Sequence, residues 1–266
     1  MKYDLLQEAV FAGLPLPDCP IVDVHAHFGP ATPFPLYDAS EEGLQASMDR
    51  MGVAALYGSP FQVLCQQYAA AANDYTLELV RRYPGRIFGY LMLNPAEPAA
   101  ILPELQRCHA AGLRAIKIHT YDSLPYSHPN YEQVFAFAAE YGLPILAHTA
   151  GEELRQLESA LLRFPQVCFI LAHAGCLDPA AYAECAQYFP NVCLETCVSQ
   201  CPRGLIEFFV NRGLSDRMLW GTDMPLICAG HQLGRVVFAD ISLEDKYRIL
   251  YRNAHRILPF PLPAGR

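Results

Sequence analysis

Two histidines separated by a single residue, His25 and His27, end an apolar segment that begins at Ile21. Residues i and i+2 of a strand point to the same side of the backbone, roughly 7 Å apart. Two imidazoles placed in this way can both reach one metal ion at about 2.0–2.1 Å. The spacing therefore predicts a metal site where this first strand ends.

Later apolar segments end in residues of the same chemical kind. Three of them finish at His148, His173 and Asp223, and a fourth carries Lys117 and His119 on one face. A single histidine in an apolar segment is more often a hydrogen-bonded core residue than a ligand. Because several such residues stand at the ends of predicted strands, a common site is favoured over separate packing roles.

The elements that must position these residues alternate between strand and helix. Continuous apolar segments are typical of strands in a parallel sheet that helices cover on both faces. The alternation predicts an α/β fold, a (β/α)8 TIM barrel, as a single domain over residues 1–266. An open doubly wound sheet is the alternative, but no glycine-rich phosphate loop follows the first strand. Eight strands are predicted to start near Ile21, Val53, Arg86, Leu113, Leu143, Val167, Val192 and Arg217.

Local signals mark the ends of several predicted helices. Gly112, Gly142 and Gly213 stand where a left-handed residue commonly follows a helix. Asp178 precedes a proline in an N-cap pattern, and Ser242 opens a segment that resembles a capping box. The predicted helices cover residues 41–51, 66–83, 98–111, 130–141, 152–164, 179–189, 203–212 and about 243–253.

Composition restricts the class of function. The chain carries a formal net charge of −8, whereas phosphate binding needs a basic surface, so a nucleic-acid partner is disfavoured. No apolar run is long enough for a transmembrane helix, and acidic residues interrupt the N-terminal segment where a signal peptide needs an apolar core. We therefore expect a cytoplasmic protein without a membrane partner. Its ten cysteines are expected to be small buried hydrophobes rather than disulfides.

The complete set of strand-end residues resembles the amidohydrolase superfamily. The shared pattern is His25-x-His27, His148, His173 and a Gly-Thr-Asp segment that ends at Asp223. The flanking sequences resemble the amidohydrolase-related branch, which includes aminocarboxymuconate-semialdehyde decarboxylase and its relatives. The resemblance extends from the first predicted strand to the eighth, over residues 21–27, 171–175 and 219–225 among others.

The resemblance implies a mononuclear site with a divalent metal, for which zinc is the first expectation. His25, His27, His148 and Asp223 would hold the ion, and His173 would act beside it as a general acid/base. Asp223 would also accept the proton of a metal-activated water. A purely structural zinc site is disfavoured, since such sites are usually rich in cysteine.

Lys117 leaves a second arrangement open. Binuclear superfamily members carry a carboxylated lysine at the end of the fourth strand, where it bridges two metals. In that arrangement Lys117, His148 and His173 would serve a second ion. In a mononuclear site Lys117 would instead bind a substrate carboxylate as a point charge. His119 is assigned with Lys117 to these two roles, and one metal is favoured over two.

The predicted function is hydrolysis of a C–N or C–O bond in a small anionic amide, lactone or ester. The alternative is non-oxidative decarboxylation of an unsaturated or aromatic acid, because the same ligands serve both reactions. Arg50 and Arg203, both in predicted helices, are candidates to bind a substrate carboxylate. A small molecule is the expected partner, and a homodimer the expected assembly if one forms. Border residues of the pocket are predicted at Glu195, at residues 121–122 and 29–35, and at Cys197 near the mouth.

Overall fold

The computed structural model describes residues 3–29, 35–61, 69–120, 124–200 and 202–258. The predicted border residues 121–122 and most of the predicted loop over 29–35 lie outside these ranges. Each predicted strand is present and begins within three residues of its expected start. The strands are β1 (Ile21–Phe28), β2 (Val53–Pro60), β3 (Ile87–Gly89), β4 (Ile116–Ile118), β5 (Ile145–His148), β6 (Phe169–Ala172), β7 (Val192–Glu195) and β8 (Met218–Leu219).

Helices alternate with these strands. Short 3-10 turns cover Pro129–Tyr131 and Ser215–Arg217, and a π-helical turn covers Arg248–Arg252. The α-helices are α1 (Leu5–Phe11), α2 (Glu41–Met51), α3 (Ala69–Arg82), α4 (Pro98–Ala110), α5 (Glu132–Tyr141), α6 (Glu152–Gln156), α7 (Glu158–Arg163), α8 (Pro179–Tyr188), α9 (Leu205–Val210), α10 (Ala229–Val237), α11 (Leu243–Tyr247) and α12 (Asn253–Ile257).

All neighbouring strands are parallel and follow the order of the sequence. β1 to β3 form one ladder and β4 to β8 form another. Two parallel bridges join these ladders at their edges, one between Leu91 and Ile116 and one between Ala26 and Met224. The sheet therefore closes into the predicted (β/α)8 barrel, with the C-terminal ends of all eight strands at one end.

Several helix predictions need correction. The sequence pattern did not predict α1 or α10. The helix predicted over 152–164 is two helices, because the chain turns at Leu157. The helix predicted over 203–212 contains only α9, so Arg203 lies in the preceding turn and not in a helix. Gly204, in the left-handed conformation at φ 86°, begins that helix late.

The predicted helix ends are present where the sequence marked them. The Asp178 side chain accepts a hydrogen bond from the Ala181 amide at 3.1 Å, and Ser242 caps α11 in the same way. Gly142 ends α5 with φ 64°. The contacts of Asp178 and Ser242 satisfy amide groups that a helix leaves unpaired at its N-terminus.

Apolar and aromatic side chains fill the interior of the barrel below the strand ends. Val22 and Val24 pack there with Tyr57 and Tyr90. The Tyr90 hydroxyl donates to the Val24 carbonyl at 2.7 Å, so this buried ring has a polar partner. The eight described cysteines are free thiols. Among the described residues, no helix is both long and apolar enough to cross a membrane.

Candidate metal centre

Three of the predicted metal ligands meet at the C-terminal end of the barrel. Asp223 Oδ1 lies 2.9 Å from His27 Nε2 and 3.7 Å from His25 Nε2. All three residues are buried, and one ligand atom from each lies within 4.8 Å of the others. The ligands predicted on the first strand and after the last strand are thus brought together when the sheet closes into a barrel.

An irregularity in β1 turns the two histidines inward. Val24 packs in the barrel interior, so strict alternation along the strand would turn His25 and His27 outward. The register of β1 against β2 shifts between Asp23 and Ala26. Such a shift re-aims the side chains that follow it and is common beside active sites.

Two other site residues have an unusual backbone conformation. His173 and Asp223 adopt the left-handed region, with φ 59° and φ 58°. Residues with a Cβ rarely take this conformation, which costs about 1–3 kcal/mol and is enriched at functional sites. The Ala172 side chain points into the barrel, so regular alternation would turn the His173 side chain outward. The left-handed backbone at His173 lets its ring face inward as well.

Each of three site histidines has one ring nitrogen engaged by an acceptor outside the centre. His25 Nδ1 donates to Glu195 Oε2 at 2.8 Å, and His27 Nδ1 donates to the Ser59 carbonyl at 3.2 Å. His173 Nδ1 donates to the Cys197 carbonyl at 2.9 Å. Metal-binding histidines use their second ring nitrogen in this way, which fixes the tautomer and the ring orientation.

These contacts test whether the donors fit a divalent metal. Because His27 uses Nδ1 to donate to Ser59, a 2.9 Å contact between its Nε2 and the Asp223 oxygen needs a positive charge at that place. That charge is either a proton on Nε2, which makes a hydrogen bond to Asp223, or a divalent ion that takes the place of the proton. Two imidazoles and a carboxylate form a donor set that suits zinc and other divalent transition metals. His25, His27 and Asp223 therefore fit such an ion.

The charges in the centre agree with this chemistry. Burial, with the nearby Lys117 ammonium, holds the pKa of His25 well below its usual value, so the ring is neutral. Burial alone would raise the pKa of Asp223. The hydrogen bond to His27 and the surrounding positive charge lower it instead. The centre thus combines neutral imidazole with an ionised carboxylate.

Lys117 lies inside the centre. Its ammonium donates to His25 Nε2 at 2.8 Å, and only 2% of its surface is exposed. Burial lowers the pKa of Lys117 to about 8, while Asp223 acts in the opposite direction. The lysine is consequently close enough to act on whatever the histidines and Asp223 hold.

His148 and His119 lie on the side of the centre next to His173. The His148 ring stacks on the His119 ring with 3.9 Å between centroids and meets the His173 ring at 4.8 Å. Among the described residues, the donor-atom group of His25, His27 and Asp223 does not include His148. The role of His148 as a ligand of that ion stays a prediction, as does its role with His173 in a second site.

Three buried residues support the centre in ways that the sequence analysis missed. Glu195 and Cys197 were expected to border the pocket and its mouth. Both are buried instead, at 0% and 1% exposure, behind the rings of His25 and His173. Asp23 accepts the His25 amide at 3.0 Å from the same strand. The alternation of residues 193 and 195 along β7 was the available signal for Glu195, because it turns both side chains inward.

A cavity of about 410 Å³ adjoins the centre at His27. Leu44, Tyr75 and Met224 contribute to its walls, and Arg50 of α2 also lines it. Arg203, the other predicted carboxylate-binding residue, is not part of this lining. The cavity is large enough for a small organic molecule.

Residues 22–260 match the model of a protein family described as Amidohydrolase. The chain belongs to the amidohydrolase family. This confirms the resemblance drawn from the strand-end residues, and the protein is an enzyme of that superfamily. A search of curated proteins finds no match.

Solved structures share the barrel of this amidohydrolase at low sequence identity. An uncharacterized TIM-barrel protein from Bordetella bronchiseptica is 17% identical with a TM-score of 0.75, covering 90% of this chain and 98% of that one. The 2,6-dihydroxybenzoate decarboxylase from Rhizobium is 16% identical with a TM-score of 0.73, covering 90% and 98%. The 5-carboxyvanillate decarboxylase from Novosphingobium aromaticivorans, complexed with manganese and a nitrobenzoic acid, is 15% identical with a TM-score of 0.69, covering 90% and 96%.

Proposed function

We propose that this amidohydrolase is a divalent-metal-dependent hydrolase that cleaves a C–N or C–O bond in a small anionic amide, lactone or ester. One observation carries the proposal: the carboxylate of Asp223 lies against the imidazoles of both His25 and His27. A hydrolase needs a base beside its metal donors to take a proton from water, and Asp223 meets that requirement.

The residues of the centre have separate tasks in this reaction. A bound divalent ion would polarise the substrate carbonyl and lower the pKa of a nearby water. Asp223, whose pKa is lowered by the positive charge around it, would accept the proton from that water. His173, oriented by the Cys197 carbonyl, would deliver a proton to the leaving group.

Two cations support an anionic substrate. The Lys117 ammonium lies within the centre, and Arg50 lines the adjoining cavity. A carboxylate on the substrate would be held by either charge while the reacting bond lies beside His27. Apolar side chains of the cavity, such as Leu44 and Met224, would accommodate the remainder of such a molecule, while Asp38 and Glu41 also line the cavity.

Decarboxylation of an unsaturated or aromatic acid is the second candidate. It is favoured by the functions of the Rhizobium and Novosphingobium neighbours, both decarboxylases with the same barrel. Zinc is our first proposal for the metal, on the chemistry of the donors. Manganese is the second, because the Novosphingobium protein is complexed with it.

Product analysis separates the two reactions. The metal-loaded enzyme would be tested with lactones, N-acyl amino acids and esters for acid release, and with aromatic acids for CO₂ release. Acid release that is abolished in Asp223→Asn and retained in Asp240→Asn, an exposed aspartate, would support hydrolysis. CO₂ release without acid release would establish the second candidate instead. Inactivity toward both panels would count against both.

A further inference from the structure

Glu195 is a fully buried carboxylate at the end of β7, and it contacts two of the site histidines. Its Oε2 accepts the His25 Nδ1 hydrogen at 2.8 Å. The same oxygen faces the His173 amide at 3.4 Å. A buried carboxylate needs such partners, because an unpaired charge in the interior costs several kcal/mol.

Cys197, two residues further along the chain, holds this carboxylate in place. Its amide donates to Oε1 of Glu195, and its thiol donates to Oε2 at 3.1 Å. The carboxylate therefore accepts donors on both oxygens. An amide in its place has one acceptor oxygen, and its NH₂ group would face other donors.

Gly221 leaves the space that this arrangement needs. A Cβ at that position would lie 2.7 Å from Glu195 Oε1 and 2.8 Å from the His25 Cβ. Side chains essentially never approach this closely, so Gly221 permits Glu195 and His25 to meet in the barrel interior.

We propose that Glu195 is a positioning residue, which fixes the tautomer and the ring orientation of His25 and ties them to the backbone of His173. With its hydrogen held on Nδ1, His25 keeps Nε2 as the atom with the lone pair, to which the Lys117 ammonium donates in this structure. A metal bound beside Asp223 would take the place of that ammonium on Nε2. The inference rests on the proposed metal site, whose donors Glu195 orients. A donor atom of Glu195 also lies within 4.8 Å of donor atoms of His25, His173 and Cys197. We assign it the positioning role because its Oε2 accepts the His25 Nδ1 hydrogen.

The test measures metal affinity and the His25 tautomer separately. Zn²⁺ dissociation constants would be obtained for the wild type and Glu195→Gln by competition with a chromogenic chelator. Nitrogen-15 NMR of the metal-free proteins, with His25 assigned through His25→Asn, would report which ring nitrogen carries the hydrogen. Glu104→Gln is the matched control, because Glu104 is a hydrogen-bonded glutamate of α4 that does not contact the centre.

We expect Glu195→Gln to weaken Zn²⁺ binding about 10–100-fold while the stoichiometry is unchanged. The His25 tautomer is expected to become mixed, and Glu104→Gln should match the wild type in both measurements. Wild-type affinity together with an unchanged tautomer in Glu195→Gln would overturn the proposal. A wild type that binds two zinc ions and a Glu195→Gln variant that binds one would also overturn it, since Glu195 would then be a ligand.

Two further results keep the test decisive. If Glu195→Gln does not fold, Glu195→Asp replaces it, because the shorter side chain keeps the charge but withdraws it from His25. Weakened binding in that variant supports the proposal, and unchanged binding contradicts it. If the wild type binds no metal, the proposed function fails, whereas the tautomer of the metal-free protein still decides the role of Glu195.

Discussion

Thr222 donates its hydroxyl hydrogen to Asp23 at 2.5 Å, joining the segment after β8 to β1 directly beside the candidate metal ligands. The Thr222 amide donates to the other oxygen of the same carboxylate at 3.1 Å. Both residues are fully buried, and burial raises the pKa of Asp23 to about 8. This pair closes the barrel between its first and last strands, one residue away from Asp223.

Removing the hydroxyl should therefore destabilise the fold. Thr222→Val leaves one oxygen of the buried Asp23 carboxyl and the amide of Met224 without the partner that the hydroxyl provides, at a cost of about 1–3 kcal/mol. Urea unfolding would measure the change. Thr76→Val is the matched control, because that buried hydroxyl only donates to the Ala72 carbonyl of its own helix. Equal losses in the two variants would show that Asp23 does not depend on Thr222.

The metal content should depend on His25 and not on Lys117. We expect about one ion per chain in the protein purified without chelators. The ion should be lost in His25→Ala and retained in Lys117→Ala, since Lys117 contacts the centre as a cation. Elemental analysis of the three proteins would measure this. Two ions, one of them lost in Lys117→Ala, would instead indicate a bridging carboxylated lysine.

Adding one methyl group at Gly221 should disturb the centre. Gly221→Ala forces Glu195 and His25 apart, because the new Cβ would lie within 2.8 Å of both. We expect a loss of about 1–3 kcal/mol in unfolding free energy and weaker zinc binding. Gly230→Ala on α10 is the control, since its Cβ would meet nothing closer than 3.9 Å. A Gly221→Ala protein as stable and as tightly metal-bound as this control would contradict the packing argument.

Glu104 should make the stability depend on acid pH. The hydrogen bond from Arg107 lowers the pKa of Glu104 to about 2, against burial, and Asn73 donates a second bond. The folded pKa lies below the usual 4.5, so this stabilisation is present above pH 4.5 and is lost as the pH falls toward 2.

Comparing urea unfolding at pH 6 and pH 3 would measure this contribution. Glu104→Gln should lose less stability between these pH values than the wild type, by about 1–2 kcal/mol. Glu184→Gln, at an exposed position of α8, should behave like the wild type. If the unfolding free energies of the wild type and Glu104→Gln depended on pH in the same way, Glu104 would not have this role in stability.

Much of the fold was predictable because its signals are local. Each strand is a continuous apolar segment, which can be recognised without knowing which strands lie beside it. The helix ends at Asp178, Ser242 and Gly142 depend on residues within one turn. The short helix α10 carries no such local signal, because two of its nine residues are glycines and no side chain caps its N-terminus.

The sequence by itself determined which residues could form the centre. In a barrel of parallel strands, residues that end the strands share one end, so His25, His27 and Asp223 were expected together. Tertiary structure alone decided how they point. Strict alternation would turn His25 outward, and the shift of β1 against β2 is a property of strand pairing that no single segment encodes. The contact of Glu195 with His25 likewise joins residues 170 positions apart, so only barrel closure brings that buried carboxylate to its partner.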